Sequence, residues 1–161
     1  MLVVDDSPDI HALLDVRLRP EALTLHHALS GAEGLAMARD LRPDVVLLDV
    51  DLPGLSGFEV CRALKADLGT SATPVIFLTG ASSTLSKVEG FNAGAVDYVT
   101  KPFDAAELRA RVRAALRTKR YQDLLATRAS VDALTGLGNR SCFDQRLEQA
   151  VAAGLRYGRP A

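Results

Sequence analysis

Three uninterrupted apolar runs, Leu2-Val3-Val4, Val45-Val46-Leu47-Leu48 and Val75-Ile76-Phe77-Leu78, constrain this chain more than any other feature. A strand with one face on a core alternates apolar and polar residues, whereas a continuous run suits a strand covered on both faces, as in a parallel sheet. Less regular runs over Leu23 to Ala28 and Ala95 to Val99 bring the candidate strands to five. Between them lie segments with helical starts. Ser30 precedes Glu33, Ser56 precedes Glu59 and Asp104 precedes Glu107, each at the spacing of a capping box. Ser7-Pro8 offers an N-cap with proline at the first helical position, and Pro20 and Pro43 stop the first two helices. Strands alternating with helices require right-handed crossovers, and the fold class predicted is a doubly wound α/β sheet.

The 161 residues, 48% of them hydrophobic, suffice for one ordinary domain and a short appendage. A net charge of -1 provides no basic field to draw in nucleic acid, so no nucleic-acid partner is expected. Cys61 and Cys142 lie too far apart for a disulfide framework or a metal-binding spacing and read as ordinary thiols. No apolar run approaches a membrane span and no signal peptide opens the chain; the expectation is a cytoplasmic protein without a membrane partner.

In an open parallel sheet, ligands collect outside the carboxyl ends of the strands. Those ends carry Asp5-Asp6, Asp49, Thr79 and Lys101. Three crowded carboxylates would raise one another's pKa, and a hard divalent cation relieves the repulsion. Mg²⁺ suits such an oxygen-rich site, because it keeps several waters and bridges to phosphate. Asp49 ends a buried run and is held rigidly, which makes it the best nucleophile; a carboxylate attacking phosphorus gives an aspartyl-phosphate. Asp6, with Asp5 through water, would hold the metal. Lys101 would offset phosphoryl charge, and Thr79 would hydrogen-bond a phosphoryl oxygen. Lys101-Pro102 invites a cis peptide that aims the lysine inward.

The motifs Val3-Val4-Asp5-Asp6, Leu47-Leu48-Asp49-Val50-Asp51-Leu52-Pro53-Gly54, Leu78-Thr79-Gly80 and Tyr98-Val99-Thr100-Lys101-Pro102-Phe103 make residues 1–119 resemble a two-component response-regulator receiver domain. The resemblance implies a flavodoxin-like five-stranded sheet of order 2-1-3-4-5 with an extended C-terminal helix. It implies phosphoryl transfer to Asp49 from a histidine kinase or phosphotransfer protein, and a metal held also by the backbone carbonyl of Asp51. It further implies a switch in which Thr79 moves onto the phosphate and Tyr98 turns inward, with Gly80 leaving room, and a homodimer that forms on phosphorylation. Met1 starts almost inside the first strand, so a few preceding residues are expected to be missing.

Two other readings compete. Asp49-Val50-Asp51, Thr79 and Lys101 also echo the haloacid-dehalogenase phosphatases, but that family wants its Asp-x-Asp near the start of the fold and an acidic pair after the lysine. Here the pair Asp5-Asp6 comes first, and only Asp104 and Glu107 follow Lys101 closely. A receiver-like module that binds partners without phosphorylation is disfavoured because no active-site carboxylate is lost.

From Asp104 good helix formers continue to about Arg128, too far for a domain of this size. Leu108, Val112 and Leu116 are read as packing on the sheet. The charged stretch beyond, 120–131, is read as a helical stalk, with Tyr121, Leu124 and Val131 as a weak coiled-coil seam. Then Asp132-Ala133-Leu134-Thr135-Gly136-Leu137-Gly138-Asn139-Arg140, followed by Phe143, resembles the opening of a GGDEF (diguanylate cyclase) domain, and 132–161 is read as its N-terminal fragment. The Gly-Gly loop and the carboxylates that would hold GTP are absent, so this chain itself is expected not to be an enzyme while its parent makes cyclic di-GMP. The helix of Phe143, Leu147 and Val151 would then lack its sheet and fray or pack on another chain.

Overall fold

A computed structural model describes residues 1–80 and 84–129 of the chain. The elements run β1 (Leu2–Val4), α1 (Pro8–Leu18), a 3-10 turn (Arg19–Glu21), β2 (His26–Ala28), α2 (Gly31–Leu41), β3 (Val46–Asp49), α3 (Gly57–Ala66), β4 (Val75–Thr79), α4 (Thr84–Asn92), β5 (Asp97–Thr100) and α5 (Ala105–Ala129). The five strands form one sheet in the order β2-β1-β3-β4-β5, every neighbouring pair parallel. This is the doubly wound, flavodoxin-like order expected from the sequence.

The continuous apolar runs have the reason anticipated. Leu2, Val4, Val46, Leu48, Val75 and Phe77 belong to one buried cluster with Val60, Cys61 and Leu64 of α3. Val3, Leu47, Ile76, Leu78 and Val99 belong to a second with Leu14 of α1 and Leu108 and Val112 of α5. Successive strand residues point to opposite faces, so a sheet covered on both sides needs apolar residues at every position.

The two irregular runs make shorter strands than the sequence suggested. Ala22 closes the 3-10 turn in a left-handed conformation (φ 51°), and the chain pairs with β1 only from His26, whose N–H donates to the Met1 carbonyl. Gly94, at φ 95°, ends α4, and pairing with β4 begins when the Val96 N–H reaches the Val75 carbonyl.

Helix starts follow the caps unevenly. Ser56 and Glu59 complete a capping box on α3. Ser30 caps α2, but Glu33 reaches the Leu29 N–H instead. Asp104 accepts from Ala106 and Glu107 N–H, while Glu107 pairs with Arg111. Ser7 makes no side-chain cap; Pro8 begins α1 unaided. Cys61 is buried and donates to the Ala93 carbonyl, and burial pushes its thiol up to about 11. That suits an inert packing thiol.

The chain divides into two compact units, Met1–Lys119 and Arg120–Ala161. In α5, Leu108 and Val112 are fully buried, whereas Tyr121, Leu124 and Leu125 are exposed. Cys142, Val131, the turn at 135–138 and the helix read around Phe143, Leu147 and Val151 lie outside the described residues. Among the described residues no helix is long and apolar enough to cross a membrane.

Candidate functional site

Strand parity assembles one side of the site. Asp5, Asp49 and Lys101 each follow by two residues a member of the second core cluster, namely Val3, Leu47 and Val99. Each therefore continues the same sheet face beyond the point where the core stops. Lys101 Nζ donates to Asp5 Oδ2 at 2.7 Å and to Asp49 Oδ1 at 2.9 Å. Asp5 is fully buried and Asp49 is 4% exposed, whereas Asp6 faces solvent. Carboxylate oxygens of Asp5, Asp6 and Asp49 lie within 4.8 Å of one another.

Backbone contacts fix these side chains. The Ser7 N–H donates to Asp5 Oδ1 at 3.0 Å, which is how Ser7 serves the site although it does not cap α1. The Lys101–Pro102 peptide is cis, as the sequence suggested, and the Lys101 N–H donates to the Thr79 carbonyl at 2.7 Å. Gly57, the first residue of α3, lies against the backbone of Asp49: a Cβ there would stand 2.1 Å from the Asp49 carbonyl oxygen. No motif marks this contact in the sequence; a glycine directly after the N-cap Ser56 is its one sign.

Burial pushes the Asp49 carboxyl above the ordinary carboxylate range; the hydrogen bond and charge of Lys101 oppose this, and the charges of Asp5 and Asp51 add to it. Burial also acts against the charge of Lys101, but its hydrogen bonds to Asp5 and Asp49 and their charges outweigh that effect and raise its pKa. Three carboxylates around one ammonium leave two negative charges uncompensated. Hard, closely spaced oxygen donors of that net charge fit Mg²⁺.

Thr79 and Tyr98 lie on the other face. Thr79 is 4% exposed and shares the parity of Phe77, and Tyr98 is half-buried against that first cluster. Both line an apolar cavity with Val50, Phe77, Gly90, Phe91 and Ala95. The Tyr98 ring meets Phe91 edge-on at 6.0 Å, and the Arg111 guanidinium stands 5.9 Å from its centroid. Asp51 is exposed, two residues beyond β3, and is not brought into the carboxylate cluster by its side chain. Ala81, which flanks Gly80, lies outside the described residues.

His11 is 7% exposed, and its Nε2 lies 2.7 Å from the Asp5 carbonyl. Two adjacent histidines in β2 gave no sign that His27 would meet His11, 2.6 Å away between their Nδ1 atoms.

A family profile described as response regulator receiver domain matches residues 1–113. Among curated proteins, the chain is 43% identical over 117 residues to the DNA-binding dual master transcriptional regulator RpaA of Synechocystis, covering 73% of this chain and 48% of that protein. It is 47% identical over 117 residues to the DNA-binding response regulator MtrA of Mycolicibacterium smegmatis, covering 73% and 50%. The chain thus spans about half the length of the curated relatives it matches. Among solved structures, chemotaxis protein CheY4 of Vibrio cholerae superposes with a TM-score of 0.67 at 32% identity, covering 71% of this chain and 95% of that one. The receiver domain of NtrX from Brucella abortus gives 0.67 at 32%, covering 73% and 98%.

Proposed function

Because the chain belongs to the response regulator receiver domain family, we propose that it works in phosphorelay signalling with Asp49 as the phosphoryl acceptor. The observation that carries this reading is the placement of the Lys101 ammonium between the buried carboxylates of Asp5 and Asp49. A carboxylate oxygen of Asp49 attacks the phosphorus of a phosphohistidine on a kinase or phosphotransfer protein. A P–O bond forms, the P–N bond breaks, and the imidazole leaves with the electron pair. Lys101 stabilises charge on the phosphoryl oxygens, and the Thr79 hydroxyl donates to one of them. Asp5, Asp6, Asp49 and the Asp51 carbonyl would hold Mg²⁺, which supplies charge neutralisation during transfer. Thr79 and Tyr98, sharing one cavity, form the switch. The test is incubation with a small phosphodonor and Mg²⁺: a mass gain of one phosphoryl group should map to Asp49 and be absent from Asp49→Asn. Sustained turnover of a generic phosphate ester would favour a phosphatase instead.

For the output, we propose a receiver (1–119), a helical linker (120–131) and the start of a diguanylate cyclase (132–161), with phosphorylation pairing receivers so that two cyclase domains meet. The support is the motif from Asp132 to Arg140. Each cyclase site would hold one GTP, so proximity is the regulated quantity. The DNA-binding names of the relatives favour a second reading, transcriptional control, but about half of each relative lies outside the match. Expressing the longest natural form and measuring cyclic di-GMP synthesis beside DNA retention decides between them. Activity that survives Asp49→Asn unchanged would remove phospho-control from either.

A further inference from the structure

We infer that His11 is a positioning residue for metal binding, acting on Asp6 through the peptide plane between Asp5 and Asp6. The inference rests on the receiver reading above. The β1–β2 ladder ends when the Asp5 N–H donates to the Ala28 carbonyl. One step further, the Asp5 carbonyl would accept from Ser30, but Ser30 is the N-cap of α2 and the chain has turned away. A buried carbonyl left there needs another donor. His11 supplies it from α1, with Nε2 2.7 Å from the carbonyl oxygen. A carbonyl only accepts, so the hydrogen resides on His11 Nε2.

The imidazole is itself held. Its Nδ1 shares a hydrogen bond with His27 Nδ1 at 2.6 Å, and His27 Nε2 lies 3.0 Å from Asp15 Oδ1. The two rings stand edge to face at 86°. The chain of contacts therefore runs from the edge strand, through a buried ring, to one peptide plane. That plane matters because the two carboxylates flanking it are anchored unequally. Asp5 is fixed by Ser7 and Lys101. Asp6 is exposed and has no hydrogen bond or ion pair with another described residue. Rotation of the Asp5–Asp6 peptide would leave Asp5 in place and swing Asp6 away from Asp49. His11 opposes that rotation, as outer partners of metal ligands commonly do.

The amide nitrogen of glutamine overlays Nε2 of histidine, and that of asparagine overlays Nδ1, so two substitutions separate the contact from the bulk. His11→Asn should weaken Mg²⁺ binding by about tenfold in calorimetry, whereas His11→Gln should stay within about twofold of the parent. At saturating Mg²⁺ the phosphorylation rate of His11→Asn should return to the parental value. In an Asp6→Asn background His11→Asn should add nothing, since the residue through which it acts is gone. Equal Mg²⁺ affinity for His11→Asn and the parent, or an undiminished loss in the Asp6→Asn background, overturns the inference. A second measurement needs no variant: ¹⁵N spectra of the parent should show His11 protonated at Nε2 and shifted on adding Mg²⁺, and a hydrogen on Nδ1 alone overturns it too. Failure of the parent to bind Mg²⁺ at all would count against the receiver reading, a separate outcome.

Discussion

Lys101 Nζ lies 2.9 Å from Asp49 Oδ1 across 52 residues of sequence, and the same nitrogen binds Asp5 at 2.7 Å. Removing it would leave two buried carboxylates without their cation. Loss of one partner from a fully buried pair costs roughly 3–5 kcal/mol; Lys101 keeps 22% of its side chain exposed, which lowers the expectation to about 2 kcal/mol. Lys101→Met should therefore unfold at lower urea than the parent in metal-free buffer. Mg²⁺ should restore more stability to the variant than to the parent, because it replaces the missing charge. Equal urea midpoints without metal would contradict the pairing.

Asp49 carries a pH signature. Burial raises its pKa above the ordinary range, so the folded chain protonates it at higher pH than the unfolded chain does. Between those two values the folded state holds more protons, and stability falls as pH rises. Above both, the full penalty persists. Asp49→Asn should thus be more stable than the parent at neutral pH without metal. The advantage should shrink as pH falls through the raised value and vanish below the ordinary carboxylate pKa of about 4. Thermal melts across pH check both the sign and the window.

Gly57 is a steric prediction. A Cβ at this position would fall 2.1 Å from the Asp49 carbonyl oxygen and 2.9 Å from Val50 Cα, both backbone atoms with little freedom to retreat. Gly57→Ala should destabilise by about 3 kcal/mol, at the upper end of overpacking. It should also slow phosphorylation of the molecules that remain folded, because α3 can no longer seat against Asp49. Equilibrium denaturation and a phosphodonor assay on the same preparation measure the two effects.

These cases mark where the sequence was legible. Asp5, Asp49 and Thr79 could be found because each stands directly after an apolar run, and Lys101 because it stands two residues past one; a parallel sheet sends all such ends to one edge. The five strands followed from the same runs, whereas their order came only with the resemblance to receiver domains. Gly57 and His11 escaped because their roles are contacts to backbone atoms of Asp49 and Asp5, made across a turn between elements, which no motif spacing encodes. The meeting of His11 and His27 depends on α1 crossing beside the edge strand, a packing relation between elements. The short bounds of β2 and β5 were set by turns at Ala22 and Gly94, where local conformation overrode apolar character.

The last prediction concerns Tyr98. Its ring is flanked outside by Arg111, which is itself held by two contacts of 2.7 Å to Asp97 and by Glu107. On the inner side lies the cavity it shares with Thr79. An inward turn of Tyr98 would fill that cavity and give up the guanidinium contact, worth about 0.5–1 kcal/mol at an exposed site. Arg111→Ala removes that opposing term and leaves Asp49, Lys101 and Thr79 untouched. The variant should bind beryllofluoride with Mg²⁺ about two- to fivefold more tightly than the parent, since each 1.4 kcal/mol is a factor of ten. Its Tyr98 ring resonances, before any ligand is added, should shift toward those of the beryllofluoride-bound parent. Unchanged affinity together with unchanged ring resonances would show that Arg111 does not restrain the tyrosine, and that the readout of Asp49 runs through another contact.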